Sequence, residues 1–147
     1  PISPKVKKLQ NIEMESGLTQ LKTYENFAVN VNQVKKQLQQ FCMDAKNKNK
    51  KIIGYGAPAK GNTLLNYCQI NNELIEYTVD VNPYKQGLFL PGTKIPIKSP
   101  EVIRKDKPDY ILILPWNLKD EIMNQHRYIS EWGGRFVIPI PEVKIYK

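Results

Sequence analysis

The sequence predicts an α/β fold: a small parallel sheet of about four or five strands flanked by helices, with a helical extension at its N-terminus. Three observations carry that prediction. A short apolar strand at Lys51-Lys-Ile-Ile-Gly-Tyr-Gly runs straight into a glycine loop that opens a helix. From Lys51 onward short apolar runs alternate with helical stretches, the pattern of βαβ units with right-handed crossovers. Before Lys51, apolar residues recur at three-four spacing, the mark of an amphipathic helix.

The elements follow in order. Val6 to Leu9 lie in a short helical stretch, and Tyr24, Phe27, Val31, Val34, Leu38 and Phe41 form the stripe of one long helix. That stripe suits either a cover for one face of the sheet or a dock for a preceding domain. The Asn-Lys-Asn-Lys run after Ala45 ends the helix, so residues 1–50 are expected to be a helical extension or linker and residues 51–147 the sheet domain. Strand one covers residues 52–55, and a helix follows over residues 59–68 with Leu64, Leu65 and Cys68 turned inward. Strand two covers residues 75–79 and ends at Asp80. Turns at residues 82–87 and 90–93 lead to an extended segment at 95–97 and a short helix opening at Ser99-Pro100. Strand three covers residues 110–114. Asn117 is expected to cap a helix reaching Trp132, with Asp120 in near-capping-box position and Gly133-Gly134 as its stop. Strand four covers residues 136–138, and residues 143–146 are a candidate edge strand. This order of elements is Rossmann-like.

The chain has 147 residues, enough for one core, and ordinary hydrophobic and charged fractions. It contains no bilayer-length apolar run and no apolar leader, so the expectation is a cytoplasmic protein that meets no membrane. It begins at Pro1 without methionine and reads as a piece of a longer protein. The formal charge of +8 would suit an anionic partner. Its lysines gather in a connector at Lys46, Lys48, Lys50 and Lys51, with no basic-aromatic interleaving and no recognition-helix pattern, so nucleic acid is not the expected partner. Cys42 and Cys68 lack ligand spacing and read as small buried hydrophobes; no metal site is expected.

In an open parallel sheet, ligands bind beyond the carboxyl ends of the strands where the strand order reverses. Four loops should meet there: residues 54–61, 80–87, 115–117 and 139–142. Gly54, Gly56 and Gly61 let the backbone turn tightly, and the free amides of the following helix face outward with partial positive charge, an anion cradle. Lys60 in that first turn opposes the helix dipole unless an anion joins it; a solvated lysine is the plainer alternative. Asp80 stands where such folds place an acid against a ribose, or is a turn former. Asn82 precedes proline and projects its amide consistently, and Trp116 could stack on a ligand or pack against a domain. No catalytic set assembles: His126 falls in the body of the last helix, while Glu121 and Glu131 read as its solvated face. The loop has neither P-loop order nor GxGxxG spacing, so ATP hydrolysis is not expected and a dinucleotide cannot be inferred from it alone.

The segments GYGAPAKGNTLLNYC, YTVDVNPYKQGLFLPGTKIPI, KPDYILILPWNLKDEI and EWGGRFVIPIPE resemble, in collinear order, the C-terminal domain of S-adenosylmethionine-dependent sugar C-methyltransferases, which act on nucleotide-linked keto-deoxysugars. The resemblance implies a parent with an N-terminal zinc domain and a central domain that holds S-adenosylmethionine. This chain would be its Rossmann-like third part, without a cofactor of its own and not active alone. By position Gly54, Tyr55, Gly56, Lys60, Gly61 and Asn62 would face the nucleotide diphosphate, with Asp80, Asn82, Lys85, Trp116 and Asn117 beside it. The implied partners are the nucleotide sugar and the preceding methyltransferase domain. Two other readings stay open: a non-catalytic interdomain scaffold, and a stand-alone nicotinamide or S-adenosylmethionine binder.

Overall fold

A computed structural model describes residues 2–147, which divide into two compact units, one up to Gln33 and the other Val34–Lys147. In the first, helix α1 (Pro4–Glu15) opens on Ser3, whose Oγ accepts the Val6 amide at 3.4 Å, with Pro4 in the first turn where its missing N–H costs nothing. None of the side chains of α1 is buried. A turn closed by Thr23 Oγ1 on the Gly17 carbonyl at 2.8 Å leads into helix α2 (Leu21–Asn47).

The second unit holds a six-stranded sheet in the order β3-β2-β1-β4-β5-β6. Its strands are β1 (Ile52–Tyr55), β2 (Thr78–Val79), β3 (Ile97–Lys98), β4 (Tyr110–Ile113), β5 (Arg135–Ile138) and β6 (Lys144–Tyr146). All neighbours are parallel except β5 and β6, so the expected parallel sheet carries an antiparallel edge. The strand order reverses between β1 and β4, which fixes where a ligand crevice should open.

Strand alternation sends residues to opposite faces. Ile52, Leu112, Leu114 and Val137 pack with Leu38, Cys42 and Ala45 of α2 and with Leu65 of helix α3 (Ala59–Tyr67). Ile53, Tyr55, Ile111, Ile113 and Phe136 pack against Ile103 of helix α4 (Val102–Asp106) and Ile122 of helix α5 (Lys119–Gln125). A fully buried side chain such as Leu38 or Ile53 contributes about 1.5–3 kcal/mol. Within the second unit, Val34, Leu38, Cys42 and Ala45 of the α2 stripe are buried, whereas Tyr24 and Phe27 of the first unit are exposed. Cys42 and Cys68 are both free and buried, and burial, then the neighbouring Cys68, pushes the Cys42 thiol up to about 12.

Three elements depart from the sequence reading. Strand two is shorter: only Thr78–Val79 is strand, and the segment before it, with Ile75 and Tyr77 buried, approaches β1 through two backbone bonds, Glu76 N–H to the Ile52 carbonyl at 3.3 Å and Gly54 N–H to the Tyr77 carbonyl at 2.8 Å. Asn117 caps nothing: it lies in a 3-10 turn, Trp116–Leu118, and α5 begins after it with Leu118 at the cap and no side-chain hydrogen bond. The last helix does not run through to Trp132. It stops at Gln125, and a tighter 3-10 segment, Arg127–Trp132, continues to Gly133, whose φ of 81° ends it.

Candidate functional site

The glycine loop is built for close packing. A Cβ at Gly54 would stand 2.7 Å from Thr78 Oγ1, and one at Gly61 2.7 Å from Leu114 Cβ, so these two glycines let α3 and β2 press against the strands. Gly56 has φ of 84°, and a Cβ there would meet Pro115 Cδ at 2.7 Å. Its amide donates to the Val79 carbonyl at 2.6 Å, and its carbonyl accepts the Thr78 hydroxyl at 2.7 Å. Much of the loop's hydrogen-bonding capacity is therefore used internally.

Asp80 is the centre of that internal bonding. Its Oδ2 accepts the Ala57 amide at 2.7 Å, and its Oδ1 accepts the Asn82 amide at 2.8 Å. Lys85 closes the knot, its ammonium 3.2 Å from Oδ2 and 3.1 Å from the Ala57 carbonyl. Asn82 turns its own Oδ1 back to the Tyr84 amide at 3.0 Å. The carboxylate at the end of β2 thus fastens the β1 and β2 loops to each other.

Beyond the loop, the first turn of α3 stays open. Pro58 is its cap and offers no side chain, and the amides of Ala59, Lys60 and Gly61 have no acceptor among the described residues. The Lys60 ammonium reaches across the rim, 4.5 Å from the Trp116 ring centroid and hydrogen-bonded to Asn117 Oδ1. Lys60, Trp116 and Asn117 therefore form one cluster at the rim. Asn62 is not part of it: its backbone carbonyl and Oδ1 accept the Asn66 amide at 2.9 and 3.3 Å.

A cleft of about 360 Å³ opens at the reversal of the strand order, lined among others by Tyr55, Gly56, Asp80, Lys85, Glu121 and Gln125. Of the residues singled out from sequence, it takes in Tyr55, Gly56, Asp80 and Lys85. None of residues 139–142 lines it, so the fourth expected loop does not contribute. The far wall is Leu118, the cap of α5, with Glu121, Ile122 and Gln125 of that helix. Glu121 is exposed, as expected of a solvated face, and that face lines the cleft. The i, i+3, i+4, i+7 spacing of those residues, phased from the buried Ile122, was the signal that could have revealed it.

His126 lies at the break between α5 and the 3-10 segment, not within a helix body, and is buried. Its Nε2 meets the Tyr55 hydroxyl at 3.0 Å and its Nδ1 the Tyr128 hydroxyl at 3.0 Å. Burial, then the Arg104 guanidinium, lowers its pKa, so the imidazole is neutral and bridges two phenols. Arg104 sits 3.7 Å from the Tyr128 ring centroid. Burial chiefly raises the Tyr55 phenol, aided by Tyr128, Asp80 and Glu121. His126 thus fixes the Tyr55 ring that floors the cleft.

Among the described residues no group of three or more His, Cys, Asp or Glu is placed to hold a metal ion, so a zinc ion would find no donor set here. No described helix is long and apolar enough to cross a membrane.

Comparison with known proteins agrees with the segments quoted above. The chain is 37% identical over 144 residues to the C-methyltransferase NovU of Streptomyces niveus, an overlap of 98% of this chain and 34% of that protein. It therefore spans about a third of the curated relative it matches. Among solved structures it is similar to UDP-D-quinovosamine 4-dehydrogenase from Vibrio fischeri, with 18% identity, a TM-score of 0.47, and coverage of 67% of this chain and 93% of that one. Residues 1–141 match the family profile described as the C-methyltransferase C-terminal domain. The chain belongs to that family.

Proposed function

We propose that this chain is the substrate-side domain of an S-adenosylmethionine-dependent C-methyltransferase working in the cytoplasm on a nucleotide-linked keto-deoxysugar. Family membership supports the methyltransferase setting. The observation that carries the binding role is the open first turn of α3, whose Ala59, Lys60 and Gly61 amides have no acceptor among the described residues and whose Lys60 supplies a cation at the same rim, a donor set that suits the diphosphate. The sugar and nucleoside would extend from there into and along the cleft.

In this reading S-adenosylmethionine supplies the methyl group from another domain of a longer enzyme, where the zinc and the base that deprotonates the carbon beside the keto group also reside. This chain's residues bind and orient. The Asp80 knot keeps the rim rigid, and Trp116 steadies the Lys60 ammonium through its ring face. Against a stand-alone nicotinamide or S-adenosylmethionine site stands the engagement of Asp80, the acid at the end of β2, by the Ala57 and Asn82 amides and Lys85 of its own loops.

Calorimetric titration with thymidine diphosphate tests the proposal. The wild-type chain should bind, and Lys60→Ala should weaken binding several-fold through loss of one charge-assisted contact. The scaffold reading predicts unchanged affinity in Lys60→Ala, and Trp116→Ala that loosens association between domains of the longer enzyme instead. Equal affinities of wild type and Lys60→Ala would remove the diphosphate role.

A further inference from the structure

The interior of the cleft does not have the charge that a diphosphate needs. Its charged lining groups are Asp80, Lys85 and Glu121. Asp80 and Lys85 offset each other at 3.2 Å, and Glu121 has no cationic partner among the described residues. Glu121 is exposed and lines the same cleft as Tyr55 and Asp80. An anion pushed inside would meet an uncompensated negative charge.

What such a wall does suit is a neutral ring bearing hydroxyl groups. An ionised carboxylate only accepts, and it takes a strong hydrogen bond from a ligand O–H. Gln125, one turn further along α5 on the same wall, adds an amide that both donates and accepts. Between them, Leu118, Ile122, Pro115 and Val81 supply apolar surface for the C–H face of a ring. The cleft volume of about 360 Å³ is within the range of small-ligand sites.

We propose that Glu121, with Gln125, forms the hydroxyl-reading end of the cleft, taking a sugar ring inside while the diphosphate stays outside on the first turn of α3. The choice of ligand rests on the nucleotide-sugar reading above. The ring could be the glycosyl group or the ribosyl part of the nucleotide; both present the same chemistry to Glu121.

The test titrates the chain and its Glu121→Ala and Glu121→Gln variants with pyrophosphate, thymidine diphosphate, thymidine diphosphate glucose and glucose 1-phosphate. Circular dichroism and melting curves check that the variants fold. Glu121→Ala should weaken thymidine diphosphate glucose at least fivefold and leave pyrophosphate unchanged or slightly tighter. Glu121→Gln, which keeps an acceptor, should fall between. Loss confined to the glycosylated probes puts the glycosyl ring at Glu121; an equal loss for thymidine diphosphate puts the nucleoside sugar there. Glu121→Ala that binds thymidine diphosphate glucose as tightly as wild type, or more tightly, overturns the proposal and leaves the nucleotide-sugar reading standing. Glu121-dependent binding of glucose 1-phosphate with no gain from the nucleotide overturns only that reading, and a chain that binds none of the probes overturns both.

Discussion

The two walls of the cleft use polar residues in opposite ways. On the β2 side, Asp80, Asn82 and Lys85 are bonded to one another and to the Ala57 backbone, so the groups that look most like ligand contacts hold the rim together. On the α5 side, Glu121 and Gln125 line the same cleft without a hydrogen bond or ion pair among the described residues. The contrast teaches that residue type does not separate structural from binding groups; whether hydrogen-bonding capacity is already spent does. A buried polar group must be satisfied somewhere, and Asp80, only 7% exposed, is satisfied by its own loops.

The largest effect expected from this contrast is on stability. Asp80→Ala strips acceptors from the Ala57 and Asn82 amides and leaves Lys85 without its partner. It should cost about 2–3 kcal/mol in chemical denaturation, whereas Glu121→Ala should stay within about 0.5 kcal/mol of wild type, as for an exposed residue. If both variants lose the same stability, the two walls do not differ as described.

A smaller effect is tied to pH. The pKa of His126 is lowered in the folded state from an ordinary 6.5, mainly by burial and then by Arg104. The unfolded chain therefore binds the proton more readily. The stability His126 contributes should be complete above about pH 6.5 and fall as pH drops toward the folded-state pKa, with a slope of at most about 1.4 kcal/mol per pH unit. His126→Gln should flatten that part of a pH series of melting curves. A slope that survives the substitution would assign it to other groups.

Lys60→Ala should change stability least. It removes one exposed cation–π contact and one hydrogen bond to Asn117, and it also relieves a cation in the first turn of a helix, so the net loss should be below about 1 kcal/mol. A loss as large as that of Asp80→Ala would place Lys60 with the structural wall.

The fold was legible where the physics is local. The run of residues 52–55 became β1 at the same bounds, and the glycine loop opened α3 at Ala59 as its strand-to-helix pattern required. The break at His126 was not legible. Ile122 and Ile129 are seven residues apart and both buried, so an unbroken helix fits their spacing as well as the observed α-helix and 3-10 pair. What separates them is the reach of His126 to Tyr55, 71 positions earlier in the chain, a long-range contact that no periodicity carries. The site shows the same divide. Lys60 with Trp116 and Asn117 was within reach of loop placement, because topology brings those loops to one rim. The engagement of Asp80 depends on backbone donors that its residue type does not reveal.

The central claim is that nucleotide diphosphate binds against the first turn of α3, next to the cleft. Amide chemical shifts of the labelled chain, followed through a titration with thymidine diphosphate, test it most directly. Saturable shifts should concentrate at Ala57 through Asn62 and at Trp116 and Asn117, leaving β6 and α2 unmoved. An absence of shifts in that segment at millimolar ligand, or shifts centred elsewhere, would contradict it.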